Sequence, residues 1–228
     1  TAIGFEALNL NTTGTGNVAV GIGSLLNNTT ADLNTAVGSG SLRQNTGDKN
    51  TAVGAGALEL NISGTANVAM GVHALQKNTV SNNTAIGYYS LQANTTGVNN
   101  TALGSFSLQQ NTSGYNNTAV GLNALNANTI GIENTGIGLN ALYSNTTGSN
   151  NTALGRSALS SNTIGSNNTA FGYKAGSNIT TGNGRRKIIK RTNFFNIYPI
   201  FIDFNFFSQH IKSGIALINY HLTINCSW

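Results

Sequence analysis

Charged residues make up only 7% of this 228-residue chain, against about 25% in an ordinary globular domain. The formal charge of +5 is unevenly placed. Residues 1–184 balance Arg43, Lys49, Lys77, Arg156 and Lys174 against Glu6, Asp32, Asp48, Glu59 and Glu133, so the basic pI gives no reason to expect nucleic-acid binding by that region. The lone cysteine, Cys226, excludes an intrachain disulfide.

No signal-peptide pattern opens the chain, and no apolar run reaches the roughly 18 residues of a membrane-crossing helix. Thr1 stands where a repeat would have an Asn just before it, which reads as a fragment or a processed product. From there to about residue 182 a single unit recurs. Its glycine falls at Gly4, Gly21, Gly38, Gly54, Gly71, Gly87, Gly104, Gly121, Gly138, Gly155 and Gly172. The steps are 17 residues, shortened to 16 at Gly38→Gly54 and Gly71→Gly87. A fixed period of this kind is the mark of a solenoid, in which stacked units bury for each other what one cannot bury alone.

The unit opens Asn-[Thr/Val]-Ala-aliphatic-Gly, a period-two pattern that suits a short strand. The aliphatic column (Val20, Val37, Val53, Met70, Ile86, Leu103, Val120, Ile137, Leu154, Phe171) is never polar and is expected to face inward. The Thr/Val position would share its face near the edge of the core. The alanine between them would face the other way. Its restriction to Ala, with Gly136 the one exception, points to close packing, which another chain could supply. The glycine should turn a corner with a positive φ. A second apolar column follows at Leu8, Leu25, Leu42, Leu58, Leu75, Leu91, Leu108, Leu125, Leu142 and Leu159. Gly-x-x-Ala-Leu could be a strand or one helical turn, and its Ser, Asn and Thr neighbours favour extended backbone.

Asparagine recurs before each strand, as at Asn83, Asn100 and Asn117, and again three residues after each leucine, as at Asn94, Asn111 and Asn128. Such residues suit turns and form ladders when stacked in register. The expected fold is therefore all-β: a parallel β-solenoid, or β-roll, of about eleven coils of 16–17 residues over residues 1–184, with an irregular tail over 185–228. Two large apolar side chains per coil make a thin core. Hydrogen bonding between coils and assembly with other chains should add to it.

The Asn-[Thr/Val]-Ala-[Val/Ile]-Gly core, best seen at Asn17-Val18-Ala19-Val20-Gly21, resembles the head repeats of YadA-like trimeric autotransporter adhesins. The longer unit, with its Ala-Leu and Asn-Thr-Thr-Gly segments, is similar to repeats in phage and giant-virus fibre proteins. The resemblance implies a left-handed parallel β-roll, three chains side by side, and an extracellular, virion-surface or cell-surface setting. The adhesin unit is shorter, so the cross-section here must differ. No coiled-coil stalk, membrane anchor or chaperone domain is evident.

The last unit replaces the expected leucine by Gly176, as terminal repeats often do. A basic run, Arg185-Arg186-Lys187-Ile188-Ile189-Lys190-Arg191, and a Phe-rich stretch follow. Three readings of this tail stay open: a small cap using Ile202–Phe206 as a strand, a membrane-binding or nucleic-acid-binding segment, or an out-of-frame extension.

No site chemistry stands out. His73 is isolated and expected at the surface, and His210, His221 and Cys226 make an unconvincing zinc set. The five acids of the repeats fall in different columns or distant coils, serines lack a nearby histidine, and no phosphate-loop motif occurs. Neither an enzyme nor a cofactor is expected. The leading expectation is a structural fibre or adhesin segment, a side-by-side homotrimer. Tyr88, Tyr89, Phe106, Tyr115 and Tyr143 are its candidate exposed contacts with a receptor or glycan. An ice-binding solenoid is the alternative, weakened by Val18 and Val68 in the Thr column and by the inward tilt expected of that column.

Overall fold

A computed structural model describes residues 1–184 and the strand Arg186–Ile189, all within the compact unit Thr1–Asn196. Twelve short strands form one parallel sheet in sequence order. They are β1 (Ala2–Ile3), β2 (Val18–Val20), β3 (Thr35–Val37), β4 (Thr51–Val53), β5 (Val68–Met70), β6 (Thr84–Ile86), β7 (Thr101–Leu103), β8 (Thr118–Val120), β9 (Thr135–Ile137), β10 (Thr152–Leu154), β11 (Asn168–Phe171) and β12 (Arg186–Ile189). Equivalent residues pair across coils, Ala102 with Ala119 and Ala119 with Gly136. The expected parallel β-solenoid is the fold observed. At about 4.8 Å per strand the sheet rises roughly 50 Å.

The strands hold the coils together at one wall, and backbone bonding continues around the rest of the coil. In the coil of β8, Leu125 N–H donates to Ala141 O at 2.9 Å, Ala127 to Tyr143 at 3.1 Å and Thr129 to Thr146 at 2.9 Å. Glu133 donates back to Tyr115 at 3.1 Å. Such bonds satisfy main-chain groups that a thin core would otherwise leave buried and unpaired.

The two faces of the strand are the reverse of the sequence expectation. The alanines are inside: Ala19, Ala36, Ala52, Ala69, Ala85, Ala102, Ala119, Ala153 and Ala170 have no exposed surface. The aliphatic column points outward, with Val37 at 37%, Met70 at 42% and Leu103 at 45% exposure. The Thr/Val column shares that outer face and does not tilt into the core. Gly136 supplies the physical reason. A Cβ built there meets Leu125 at 3.3 Å and the Ala141 carbonyl at 3.3 Å. A methyl group fills the gap between the sheet and the leucine wall, and nothing larger fits. The alanine restriction is thus enforced within the chain.

Leucine is inside as expected, and Leu25 through Leu159 are fully buried. It is the one large apolar side chain per coil in the core, joined by two small residues. The Gly-x-x-Ala-Leu segment is neither strand nor helix. It is a chain of hydrogen-bonded turns, with Ala124 N–H on Gly121 O at 3.2 Å and Asn128 N–H on Leu125 O at 3.1 Å. Every core leucine is left-handed, with φ of 50° at Leu25 and 52° at Leu125. That conformation is costly for a non-glycine residue, so burial and cross-coil bonding must over-determine it. Where serine replaces the alanine before leucine it is buried and satisfied locally, as in Ser107 Oγ–H on Gly104 O at 2.7 Å.

The corner glycines have positive φ as expected, +126° at Gly121. They are also packed: a Cβ at Gly121 would lie 2.8 Å from the backbone of Gly138 in the next coil. The asparagine columns form two buried ladders. After leucine, Asn128 Nδ2 donates to Asn111 Oδ1 at 2.8 Å and to Gly131 O at 3.0 Å. Before the strand, Asn117 N–H donates to Asn100 Oδ1 at 3.0 Å, and Asn117 Nδ2 reaches Gly131 O at 2.9 Å.

At the far end, Ala175 is buried in place of its counterparts, and Ile179 packs on the core. β12 begins in the stretch assigned to the tail. It pairs with β11 at Asn168–Arg186 and Ala170–Ile188, a step of 18 residues. The expected Ile202–Phe206 strand and the rest of the tail lie outside the described residues.

Two substitutions test this account. Asn128→Ala strands Asn111 Oδ1 inside the coil, takes one of two donors from the Gly131 carbonyl, and should cost about 1–3 kcal/mol. Gly121→Ala combines left-handed strain with a backbone overlap and should cost at least as much. Thermal and urea unfolding measure both. A loss below about 0.5 kcal/mol at either site would contradict the packing described.

Candidate interaction surfaces

The outward strand columns define the longest continuous surface. From β2 to β11 the first column reads Val, Thr, Thr, Val, Thr, Thr, Thr, Thr, Thr, Thr, and the second is the aliphatic column. Neither contains a charged residue. The acids and bases lie in the turns: Asp32, Asp48, Lys49 and Glu133 near the second corner, and Arg43, Glu59 and Lys77 just after leucine. Large apolar side chains this exposed, contiguous and charge-free mark a contact surface more often than a solvated one.

Two of the acids do meet, contrary to expectation. Asp32 and Asp48 share a column in adjacent coils, an alignment the 16-residue step obscures in the sequence. Asp32 Oδ1 accepts the Thr15 N–H at 2.6 Å, and Asp48 Oδ1 accepts the Asp32 N–H at 2.8 Å. Each carboxylate thus caps the backbone of the preceding coil, as Ser81, Ser149 and Ser166 do elsewhere in the column. No group of three or more potential metal ligands occurs among the described residues.

The structure sorts the five candidate aromatics into one cluster and two single residues. Tyr115 and Tyr143 stand apart, at 41% and 42% exposure. Tyr88, Tyr89 and Phe106 come together and are joined by His73. Tyr88 is 47% exposed, whereas Tyr89 and Phe106 are half-buried, less open than expected. Tyr89 and Phe106 stack at 6.1 Å and 18°, Tyr88 meets both edge-on at 4.3 and 5.4 Å, and His73 lies 5.1 Å from Tyr89. His73 is not a free surface residue: it is half-buried, and its Nδ1 is buried without a hydrogen-bond partner. The Tyr88 phenol is held above its ordinary range by the neighbouring Tyr89 hydroxyl, then by desolvation and the Tyr89 charge. Farther along, Tyr173 has Arg156 at 5.8 Å and Lys174 at 5.4 Å from its ring.

His73, Tyr89 and Phe106 occupy one column, two residues after the corner glycine, with φ of 56°, 55° and 58°. In the sequence His73 falls in a column that elsewhere holds Glu, Gly, Tyr, Phe, Asn and Ser, and so mixed a column reads as solvated surface. The signal was available in the spacing, since each residue stands two beyond a repeat glycine. No helix long and apolar enough to cross a membrane is present among the described residues. Comparison with known protein families, curated proteins and solved structures finds no match. What the fold defines is a class: a repeat protein built as a parallel β-solenoid.

Gly23, Gly40 and Gly56 hold this same column in earlier coils with φ of 63° to 66°. Tyr89→Gly and Phe106→Gly therefore install residues the coil already accepts. Each is expected to leave the melting temperature within a few degrees of the parent, relief of left-handed strain offsetting lost ring packing. A collapse of the transition, read by circular dichroism, would contradict that.

Proposed function

We propose that the array is a structural rod, a fibre or adhesin segment that assembles with copies of itself and displays or attaches at a virion or cell surface, without catalysis. The observation that carries the reading is the charge-free outer face of the sheet, where threonines and aliphatic side chains run the length of ten coils. Burying part of each aliphatic side chain, at roughly 25 cal/mol per Å², adds up along a repeating surface, and association has to offset about 4–15 kcal/mol of lost freedom. A thin core of one leucine per coil gives the same face a second reason to be covered. The resemblance to trimeric adhesin heads and fibre repeats makes a side-by-side trimer the assembly we favour. Size-exclusion chromatography with light scattering on the full chain tests it. Three times the chain mass is expected, and Ile86→Lys with Leu103→Lys should shift the population to monomer. A parent chain that is monomeric at micromolar concentration would rule the assembly out.

One observation favours a second reading. The Thr column faces outward, at strand spacing, on a surface of low charge, which removes the objection that it tilts inward and supports ice binding. The aliphatic column beside it varies from Val20 to Met70, Leu103 and Phe171, and so uneven a surface suits a protein partner better than a lattice. Thermal hysteresis discriminates: the rod reading expects none beyond that of a control protein at equal concentration.

A further inference from the structure

The four-ring cluster is a local feature laid on a uniform scaffold. Its rings come from three successive coils, following β5, β6 and β7. Three of them sit on left-handed backbone, where a bulky side chain is disfavoured relative to glycine or asparagine. The coil does not need rings there: the same column holds Gly23, Gly40 and Gly56 before the cluster and Asn123 and Asn140 after it. Rings have been placed, at a conformational cost, where smaller residues satisfy the fold.

Beside the rings runs a row of polar planar groups. Gln76 Nε2 donates to Glu59 Oε2 at 2.8 Å, and Gln92 Nε2 donates to Gln76 Oε1 at 3.0 Å. That this row borders the ring column follows from two contacts. Asn126, in the row, donates to the Phe106 carbonyl at 2.9 Å and to Gln109 Oε1 at 3.2 Å. A Cβ built on Gly56 would approach both His73 Nδ1, at 2.5 Å, and Glu59 Oε2, at 3.5 Å. Stacked rings flanked by amides match a pyranose. Its C–H face lies on aromatic carbon, and its edge hydroxyls exchange hydrogen bonds with groups that both donate and accept. The amides carry no charge, and the ions of the same segment, Arg43, Glu59 and Lys77, are of both signs, so the site suits a neutral sugar.

We propose that Tyr88, Tyr89, Phe106 and His73, with Gln76 and Gln92, bind a neutral oligosaccharide, one sugar ring lying against the Tyr88–Tyr89–Phe106 cluster. This deepens the display-rod reading by naming the class of ligand. It rests on that reading only for the site staying open in the assembly.

The test uses the full chain against cellohexaose, mannohexaose and a printed array of neutral, sialylated and sulfated glycans, with calorimetric titration of the strongest responders. Saturable binding of at least one neutral glycan is expected. The double variant Tyr89→Gly, Phe106→Gly should weaken it about tenfold or more, the size of effect that losing two ring contacts implies, with melting temperature and molar mass unchanged. Gln92→Ala should weaken it less. Tyr143→Ala, outside the cluster, should not weaken it. Absence of saturable binding to every neutral glycan, binding confined to anionic glycans, or equal affinity in the double variant would each overturn the proposal. So would a variant whose only change is in molar mass, because that assigns the rings to contacts between chains. A monomeric parent that still binds a neutral glycan would sink the rod reading and leave this site standing.

Discussion

Everything in this molecule depends on registering each coil against the last, and the two buried asparagine ladders impose that register. An asparagine amide donates on one side and accepts on the other, so identical residues can be handed along an axis indefinitely. Asn111, Asn128 and Asn145 do so at 2.8 Å per step. Inside a water-free coil an unmatched amide is costly. A slip of one residue would break the ladder and the backbone bonds together. The ladder thus acts as the gauge that holds coils of 16 and 17 residues in line, the missing residue being taken out of a corner rather than from the sheet.

Close stacking has a second requirement, backbone that can turn without occupying space. Gly121 is left-handed and lies against Gly138, and the Gly131 Cβ position is already filled by Asn128 Oδ1 at 2.4 Å. Leucine obeys the opposite logic. It accepts a left-handed φ because its side chain is the only large one in the cross-section. Alanine then faces it because the gap to Leu125 admits a methyl group and no more. The aliphatic side chains have no room inside and are displaced to the surface. The apolar exterior is therefore a direct consequence of the narrow interior.

The period, the glycine corners, the asparagine ladders and the buried leucines were legible in the residues because each depends on spacing alone. Which strand face points inward was not legible. Val37-type and Ala36-type positions alternate with period two on either assignment, and hydrophobicity favoured the wrong one. The turns around Leu125 were missed because propensity does not anticipate a leucine in left-handed backbone. The Asp32–Asp48 contact was hidden by a shortened coil. Of the ring cluster, the sequence offered Tyr88, Tyr89 and Phe106 as candidates, and the spacing put His73 in the column of Tyr89 and Phe106, but the contacts between rings of neighbouring coils needed the stacked geometry.

The ladders also have a direction. Where the column after leucine is linked from coil to coil, each Nδ2 points toward the earlier coil and each oxygen toward the later one; the link is interrupted at Asn78, whose Nδ2 goes to the Val80 carbonyl and leaves Asn61 Oδ1 without a donor. The series ends where Ile179 stands in place of a further asparagine, and Asn162 Oδ1 is left without a donor. Asn168 Oδ1 closes the other series in the same way, opposite the register position of Arg186. Aligned amide dipoles thus give the rod an electrical polarity of its own, with the oxygen-bearing pole at the C-terminal end.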